Sequence, residues 1–335
     1  MASFPPANNN FRWETLNKAL KDPNTRSWIL LNPSSLGDTW VVCALAKAFK
    51  EAHGQITMVI KPEQAAIAQM YQDDIFKIIA VDGAQLSDYC IRIHHFCTFA
   101  IDLPFIAHPF WVGDGRLDRL IELFRYPGRG GICFSDMFRH ILHLSWDAPL
   151  ALPAIPQMWR DEAEAYAQTI GMAPRKSVIL FPDNNSNEAL PTGFWQPLAE
   201  KLNQAGYKVF TNLAGDAKGR RVSPFEGTSA ITVPLHLAIP LVEIAGRYIS
   251  GANGIAAMLA GSKVQSQCTY LINRRALGKE YTLNGTLVID PLVTSLRYLW
   301  VTNEPIREYV VCPDEDMSSI IQDIADDNPA SSLPW

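Results

Sequence analysis

The sequence predicts an α/β protein made of two doubly wound halves, each a mainly parallel sheet with helices on its faces. A strand, a tight turn and an amphipathic helix follow one another within residues 28–49. Strand and helix patterns then alternate on both sides of a proline-rich connector at 148–156, and 335 residues are too many for one ordinary core. We therefore expect an N-terminal domain at 1–155, a C-terminal domain at 156–312, and a last helix and tail at 313–335.

The first strand, turn and helix hold the most informative residues. The apolar run Trp28–Leu31 ends in a turn of small residues, and Asp38 is predicted to open a helix with apolar side chains at i, i+3, i+4, i+7 and i+8. Gly37 allows the tight turn. A carboxylate at position 38 suits a helix start, so Asp38 is either an N-cap or a group at the mouth of a ligand site.

The other elements are predicted from hydrophobic period and from the positions of proline and glycine. The first half shows a strand at Ile56–Ile60, a helix at 62–71, a strand at 76–81 and an apolar segment at 96–105. The second half shows helices at 159–170, 194–204, 241–245 and 255–260, strands at Ser177–Phe181, 207–213, 248–250 and 265–272, and a terminal helix at 314–327. Glycine, proline and aromatic residues crowd into 108–139, which predicts a functional loop region.

Composition narrows the class of protein. The net charge of −5 gives no basic field for nucleic acid, and a secretory signal pattern and a membrane-length apolar run are both lacking in the sequence. Six scattered cysteines, with no C-x-x-C pair, are typical of a reduced protein with mostly buried thiols. These features predict a cytoplasmic protein with at most peripheral membrane contact.

Polar residues near strand ends and in loops are the candidate ligand contacts. His94, His95 and His108 have no carboxylate or cysteine at ligand spacing, so we expect neither a metal nor a cofactor. The competing interpretation of the polar loop residues is that they are solvated charges or simple turn formers. The candidates in the loop region are His108, Asp114 and Arg116, and those after the strand at Phe181 are Asn184, Asn185 and Ser186.

Three blocks, in this order, resemble the heptosyltransferases of glycosyltransferase family 9, which have the GT-B fold of two Rossmann-like domains facing a cleft. The opening block, Pro33-Ser34-Ser35-Leu36-Gly37-Asp38, is similar to the family signature (P/T)SS(L/M)GD. Residues 179–202 resemble the start of the donor half. Residues 241–254 resemble the segment that leads into the helix holding the nucleotide diphosphate.

The resemblance implies a metal-independent transfer of a sugar from a nucleotide-sugar donor. Asp38 aligns with the carboxylate taken as general base, which would accept the proton of the attacking hydroxyl. The N-terminal domain would bind the acceptor, and the residues expected to contact it are Ser34, Ser35, Gly37, His108, Asp114 and Arg116. The C-terminal domain would bind the donor, and the residues expected there are Asn184, Asn185, Ser186, Gly215, Gly251, Asn253 and Gly254.

Several positions depart from the family pattern. Glu188 stands where the family has a lysine, Ala252 where it has an aspartate, and Ala257 where it has a histidine. The donor is then held by backbone amides and by other cations, or the donor differs from ADP-heptose, or donor binding is lost. The candidate cations are Lys218, Arg220, Arg221, Arg274 and Arg275.

The function expected from these observations is glycosyl transfer to a glycan or lipid-linked saccharide in surface polysaccharide or lipopolysaccharide synthesis. The alternative is a catalytically impaired relative that serves as a glycan-binding, nucleotide-binding or scaffold subunit, which the three departures favour. A nucleotide-dependent oxidoreductase or epimerase is a weaker third interpretation, because no G-x-G-x-x-G follows a predicted strand.

Overall fold

The computed structural model describes residues 26–101, 103–108, 134–183, 190–213, 223–251, 253–263, 268–273, 306–311 and 315–326. These residues form two compact units, and the chain passes from the first to the second between Ala154 and Ile155. Every strand pairing within the described residues is parallel. The predicted α/β class with parallel sheets is therefore confirmed.

The first unit contains a sheet in the order β3-β2-β1-β4. Its described elements are β1 (Trp28–Leu31), α1 (Leu36–Ala44), α2 (Ala46–His53), β2 (Ile56–Ile60), a 3-10 turn (Pro62–Gln64), α3 (Ala65–Gln69), β3 (Lys77–Ala80), α4 (Gly83–Ile93), a 3-10 turn (His94–Phe96), β4 (Pro104–Ile106) and α5 (Phe134–Ile141). In the central pairings, Leu31 lies opposite Val59 on one side and Ile106 on the other.

The sheet of the first unit is covered by amphipathic helices. All residues of β1 and β2 are buried, which explains why every one of them except Thr57 is apolar. Ile29, Leu31, Val59 and Ile106 point to one face, where they share a core with α4. α4 begins because the side chain of Asp82 accepts hydrogen bonds from the amides of Ala84 and Gln85, as N-cap residues do.

The second unit contains a longer sheet in the order β10-β9-β8-β5-β6-β7. Its described elements are α6 (Gln157–Thr169), β5 (Ser177–Phe181), α7 (Thr192–Gln204), β6 (Lys208–Asn212), β7 (Ser229–Ile231), a 3-10 turn (Leu235–Leu237), α8 (Ala238–Ala245), β8 (Gly246–Gly251), α9 (Gly254–Leu259), β9 (Cys268–Asn273), β10 (Ile306–Val311) and α10 (Ser318–Ala325). Counted within the unit, this is the strand order 3-2-1-4-5-6 of dinucleotide-binding folds.

The core of the second unit joins its central strands to α7 and α10. Val178, Leu180 and Ile249 pack against Phe194 and Trp195 of α7, together with Ile321 and Ile324 of α10. The chain passes from α8 directly into β8 at Gly246, which has a φ of 88°. Glycine adopts that left-handed backbone without a Cβ clash, so it ends helices readily.

Each sheet has one point where the strand order reverses. In the first unit this switch point lies between β1 and β4, and in the second it lies between β5 and β8. Ligands of open α/β sheets bind beyond the carboxyl ends of the strands at such points. The fold thus marks two places where a site is expected, one in each unit.

Several sequence-based predictions of elements need correction. The helix expected to open at Asp38 and run to Phe49 is two helices, because the chain breaks its regular pattern at Leu45. The helix α4 was absent from the prediction, as were β7, β10 and α5. Trp159 and Trp195 are buried in the core, and Trp300 lies outside the described residues.

Candidate functional site

The candidate site of the first unit lies where the chain leaves β1. The amide of Asn32 donates to the carbonyl of Val59 at 2.9 Å, so the sheet ladder continues one residue past the strand. The side-chain Oδ1 of Asn32 then accepts a hydrogen bond from the amide of Ser34 at 3.0 Å. This is an Asx turn, and it reverses the chain across Pro33. Ser34, Ser35 and Gly37 consequently follow the strand at its carboxyl end, as predicted.

Asp38 occupies the third position of α1. The helix begins at Leu36, and Ser35 before it has the extended backbone of an N-cap residue. Oδ2 of Asp38 accepts hydrogen bonds from the amide of Ser35, at 3.0 Å, and from its hydroxyl. This is the acidic half of a capping box. The expectation that Asp38 itself opens or caps the helix is therefore wrong, because Ser35 reaches the cap conformation first.

His108 faces the other carboxylate oxygen of Asp38. The amide of Ala107 donates to the carbonyl of Leu31 at 2.9 Å, which holds the end of β4 against the end of β1. Nε2 of His108 then lies 3.7 Å from Oδ1 of Asp38, and the two side chains are 9% and 13% exposed. Two residues 70 positions apart in sequence meet at the switch point because both follow adjacent parallel strands.

Asp38 is ionised more readily than an ordinary aspartate. Burial opposes its charge, but the hydrogen bond and electrostatic interaction with His108, together with the hydroxyl and amide of Ser35, outweigh that effect and lower the pKa of Asp38. The carboxylate therefore stays charged at neutral pH. A charged carboxylate with one oxygen held by Ser35 and the other directed toward His108 can accept a proton from a hydroxyl that enters between them.

Gln64 is a site residue that the sequence analysis missed. It lies in the turn after β2, is 4% exposed, and donates from Nε2 to the carbonyl of Ser34 at 2.8 Å. A glutamine at the carboxyl end of the strand next to β1 was the available signal. The structure thus adds Gln64 and Asn32 to the residues gathered around the turn.

At the switch point of the second unit, Asn253 ties two strand ends together. Its Oδ1 accepts from the amide of Ala256 at 2.9 Å, which makes it the N-cap of α9. Its Nδ2 donates to the carbonyl of Asp183, after β5, at 2.7 Å. Gly251 and Gly254 flank it, at the end of β8 and the start of α9. The structure therefore brings together three of the predicted donor-binding residues.

One polar side chain of the family pattern, a histidine, is replaced by alanine near this switch point. Ala257, at the position of the family's histidine, is a buried residue of α9. A methyl group there offers no hydrogen bond to a phosphate. Other predicted positions lie outside the described residues, namely Asp114, Arg116, Asn184, Asn185, Ser186, Glu188, Gly215, Lys218, Arg220, Arg221, Ala252, Arg274 and Arg275.

Two further properties of the described residues bear on function, namely their capacity to bind a metal ion and to cross a membrane. The rings of His94 and His95 are tilted by 42° with centroids 3.6 Å apart, while His108 lies beside Asp38. Among the described residues, no three His, Cys, Asp or Glu side chains come together as a metal site requires. None of the described helices has the length and apolar character needed to cross a bilayer.

Comparisons with known proteins show which solved structures share this fold. No protein-family model and no curated protein sequence matches the chain. The crystal structure of a glycosyl transferase family 9 protein from Veillonella parvula matches with a TM-score of 0.52 at 14% identity, over 92% of each chain.

A second solved structure gives a similar result. It is TibC, an iron-containing dodecameric heptosyltransferase of enterotoxigenic E. coli, in complex with ADP-D-β-D-heptose. The match has a TM-score of 0.51 at 13% identity, covers 80% of this chain and spans 66% of the TibC chain. The chain described here has the fold of glycosyltransferase family 9.

Proposed function

We propose that this protein is a glycosyltransferase that moves a sugar from a nucleotide-sugar donor to a glycan or glycolipid acceptor in surface polysaccharide or lipopolysaccharide synthesis. The observation that carries the proposal is the Asp38 carboxylate. It lies at the switch point of the first unit, it is ionised, and its two oxygens face Ser35 and His108. The fold shared with glycosyltransferase family 9 supports the same conclusion.

In the proposed reaction, Asp38 acts as general base. The acceptor hydroxyl attacks the anomeric carbon of the donor, a new C–O bond forms, and the bond to the nucleoside diphosphate breaks. The hydroxyl proton passes to Oδ1 of Asp38, the oxygen that Ser35 leaves available. His108 is proposed to orient the carboxylate and to keep it charged until the hydroxyl arrives.

The donor is proposed to bind at the switch point of the second unit. Asn253 makes a fixed turn between β8 and α9 there, with Gly251 and Gly254 on either side. TibC binds ADP-D-β-D-heptose with the same fold, which supports a nucleotide sugar as the donor class. The nucleotide and the sugar are left open by this proposal.

One observation favours a second candidate function. Ala257 supplies only a buried methyl group where a family histidine is expected, and Glu188 and Ala252 also depart from the family pattern. A relative with these substitutions could retain the fold and bind a glycan or nucleotide without turnover. Such a protein would serve as a binding or scaffold subunit in polysaccharide assembly.

Thermal shift measurements test the donor proposal. A ligand that binds only the folded protein raises the melting temperature, by an amount set by its concentration relative to Kd. We expect one base among ADP, UDP, GDP, CDP and CMP, or their sugar forms, to raise Tm clearly. A panel in which no nucleotide or nucleotide sugar shifts Tm would contradict donor binding and favour the scaffold function.

A further inference from the structure

Three buried polar atoms around the turn after β1 have no hydrogen-bond partner within the part of the chain that the structure describes. They are Nδ2 of Asn32, Oγ of Ser34 and Oε1 of Gln64. Asn32 is fully buried and Gln64 is 4% exposed. Buried polar groups in proteins are nearly always paired, because burial removes their bonds to water. Three such groups at one end of a sheet indicate that a polar ligand completes them.

The hydrogen bonds that the side-chain amides of Asn32 and Gln64 make fix the orientation of each amide. The amide N–H of Ser34 can only donate, so the atom of Asn32 that faces it is Oδ1. The carbonyl of Ser34 can only accept, so the atom of Gln64 that faces it is Nε2. The remaining atoms are therefore a donor on Asn32 and an acceptor on Gln64, with the hydroxyl of Ser34 able to do either.

These three unpaired atoms suit two neighbouring hydroxyls of a sugar better than they suit an anion. A sugar hydroxyl both donates and accepts, so two adjacent hydroxyls satisfy Nδ2 of Asn32, Oγ of Ser34 and Oε1 of Gln64 together. A phosphate or carboxylate only accepts, and would leave Oε1 of Gln64 opposed by another acceptor. The charged Asp38 at the same end of the sheet would repel it further.

We propose that Asn32, Ser34 and Gln64 form a subsite for an uncharged sugar ring bearing two adjacent free hydroxyls. This inference rests on the proposed function, because it assigns the chemical class of the acceptor bound next to Asp38. The three residues hold the ring through hydrogen bonds, and Asp38 then faces a neighbouring hydroxyl of the same saccharide. The acceptor saccharide is thus neutral at the residue that receives the new sugar.

The experiment is a titration of the full chain with neutral methyl glycosides, followed by saturation-transfer NMR. The probes are the methyl α-pyranosides of glucose, galactose and mannose, with glucose 6-phosphate as the anionic comparison. Ser34→Ala is the decisive variant, because the Ser34 hydroxyl makes no bond within the protein. Removing it should weaken binding of the preferred glycoside by about 3-fold to 10-fold and leave Tm unchanged or slightly raised.

Ser177→Ala is the matched control. Ser177 is also buried, but its hydroxyl is bonded to both the amide and the carbonyl of Ala173 in the second unit. We expect this variant to lower Tm and to leave glycoside affinity unchanged. Gln64→Leu provides a second test of the subsite, since it also removes an acceptor and should weaken glycoside binding.

Three results would overturn the inference. One is saturable binding of glucose 6-phosphate with none of the neutral glycosides. Another is absence of glycoside binding at the highest soluble concentration, and the third is equal glycoside affinity in Ser34→Ala and the wild type. Turnover of nucleotide sugars is measured on the same samples, so that a failed subsite with active transfer is distinguished from a failure of the proposed function itself.

Discussion

At the scale of single residues, the chemistry depends on what surrounds Asp38. A carboxylate at the start of a helix is common, and its local sequence explains it as a capping group. In the structure, Ser35 binds Oδ2 and His108 lies beside Oδ1, so the oxygen that stabilises the helix start differs from the oxygen proposed to accept the proton. The N-cap interpretation of Asp38 is thus replaced by the N3 position of a capping box, which leaves Oδ1 available for the proposed role at a ligand site.

Replacement of the carboxylate should separate these two roles. In Asp38→Asn, one carbonyl oxygen remains to accept from Ser35, so we expect Tm to change little. The general base is lost, and transfer should fall between about 100-fold and 10,000-fold. Asp38→Ala loses the contact to Ser35 as well and should cost about 1 kcal/mol of stability in addition. Denaturant unfolding and initial rates measure both effects, and full activity in Asp38→Asn would contradict the assigned role.

Replacement of His108 should change the pH dependence. Because His108 helps to lower the pKa of Asp38, its removal raises that pKa, and the acid limb of the kcat/KM profile should move to higher pH. His108→Gln keeps a donor without the charge and should move the limb less than His108→Ala. An acid limb that stays in place in His108→Ala would mean that His108 does not act on Asp38.

The Asp38 carboxylate also makes the stability of the folded protein depend on pH. The folded pKa of Asp38 is lower than its unfolded pKa, so its charge stabilises the protein above the unfolded value, and this contribution is lost as pH falls through the folded value. We expect Asp38→Asn to flatten the acid side of the stability curve relative to the wild type. Tm measured from neutral pH down through pH 3 tests this, and parallel curves would contradict it.

At the scale of elements, the central strands of each sheet and the edge strand β3 were predicted, whereas the edge strands β7 and β10 were not. β1, β2 and β5 are fully buried and apolar except for Thr57 and Ser177, as packing on both faces of a sheet requires. β7 has only three residues, two of them exposed, so its sequence carries little hydrophobic signal. α4 was not predicted, although Asp82 just before it is a clear N-cap signal.

The candidate site, like the strands, could be predicted only in part from local sequence. The turn after β1 could be predicted because serine, glycine and aspartate cluster within one short motif. The pairing of Asp38 with His108, and the hydrogen bond from Gln64 to Ser34, depend on the order of strands in the sheet. Local sequence does not specify which strand end lies beside which.

The turn between β8 and α9 gives a prediction at this scale. Asn253→Ala removes both the cap on Ala256 and the bond to the Asp183 carbonyl, and should destabilise the protein by about 1–2 kcal/mol. Asn253→Asp keeps an oxygen for the cap and loses only the donor, so its cost should be smaller. Chemical denaturation measures both, and equal stability of Asn253→Ala and the wild type would mean that the turn is held by other contacts.

At the scale of the whole molecule, two units carry the two halves of the proposed reaction. Each has a parallel sheet with one switch point, and each switch point has polar residues that follow its central strands. The first holds the charged carboxylate of Asp38, and the second holds the helix N-cap Asn253, with Gly251 and Gly254 near it. We expect the donor and the acceptor to be recognised by different units of the chain.

Hydrogen exchange tests whether the donor and the acceptor bind to different units. A bound nucleotide should slow amide exchange at the end of β8 and the start of α9, while a neutral glycoside should slow it in residues 32–38. The ligands are added separately to the full chain, and α5 serves as an internal reference. Protection of residues 32–38 by the nucleotide alone would place the donor in the first unit and contradict the assignment.

The most direct test is release of nucleoside diphosphate from a panel of nucleotide sugars, with purified glycan acceptors, by the wild type and by Asp38→Asn. We predict that the wild type releases the diphosphate of one donor in an acceptor-dependent way, and that Asp38→Asn binds the same donor but loses transfer. Acceptor-dependent release that is equal in both proteins would show that Asp38 is not the base. No release from any donor by the wild type would contradict the assignment of a transferase.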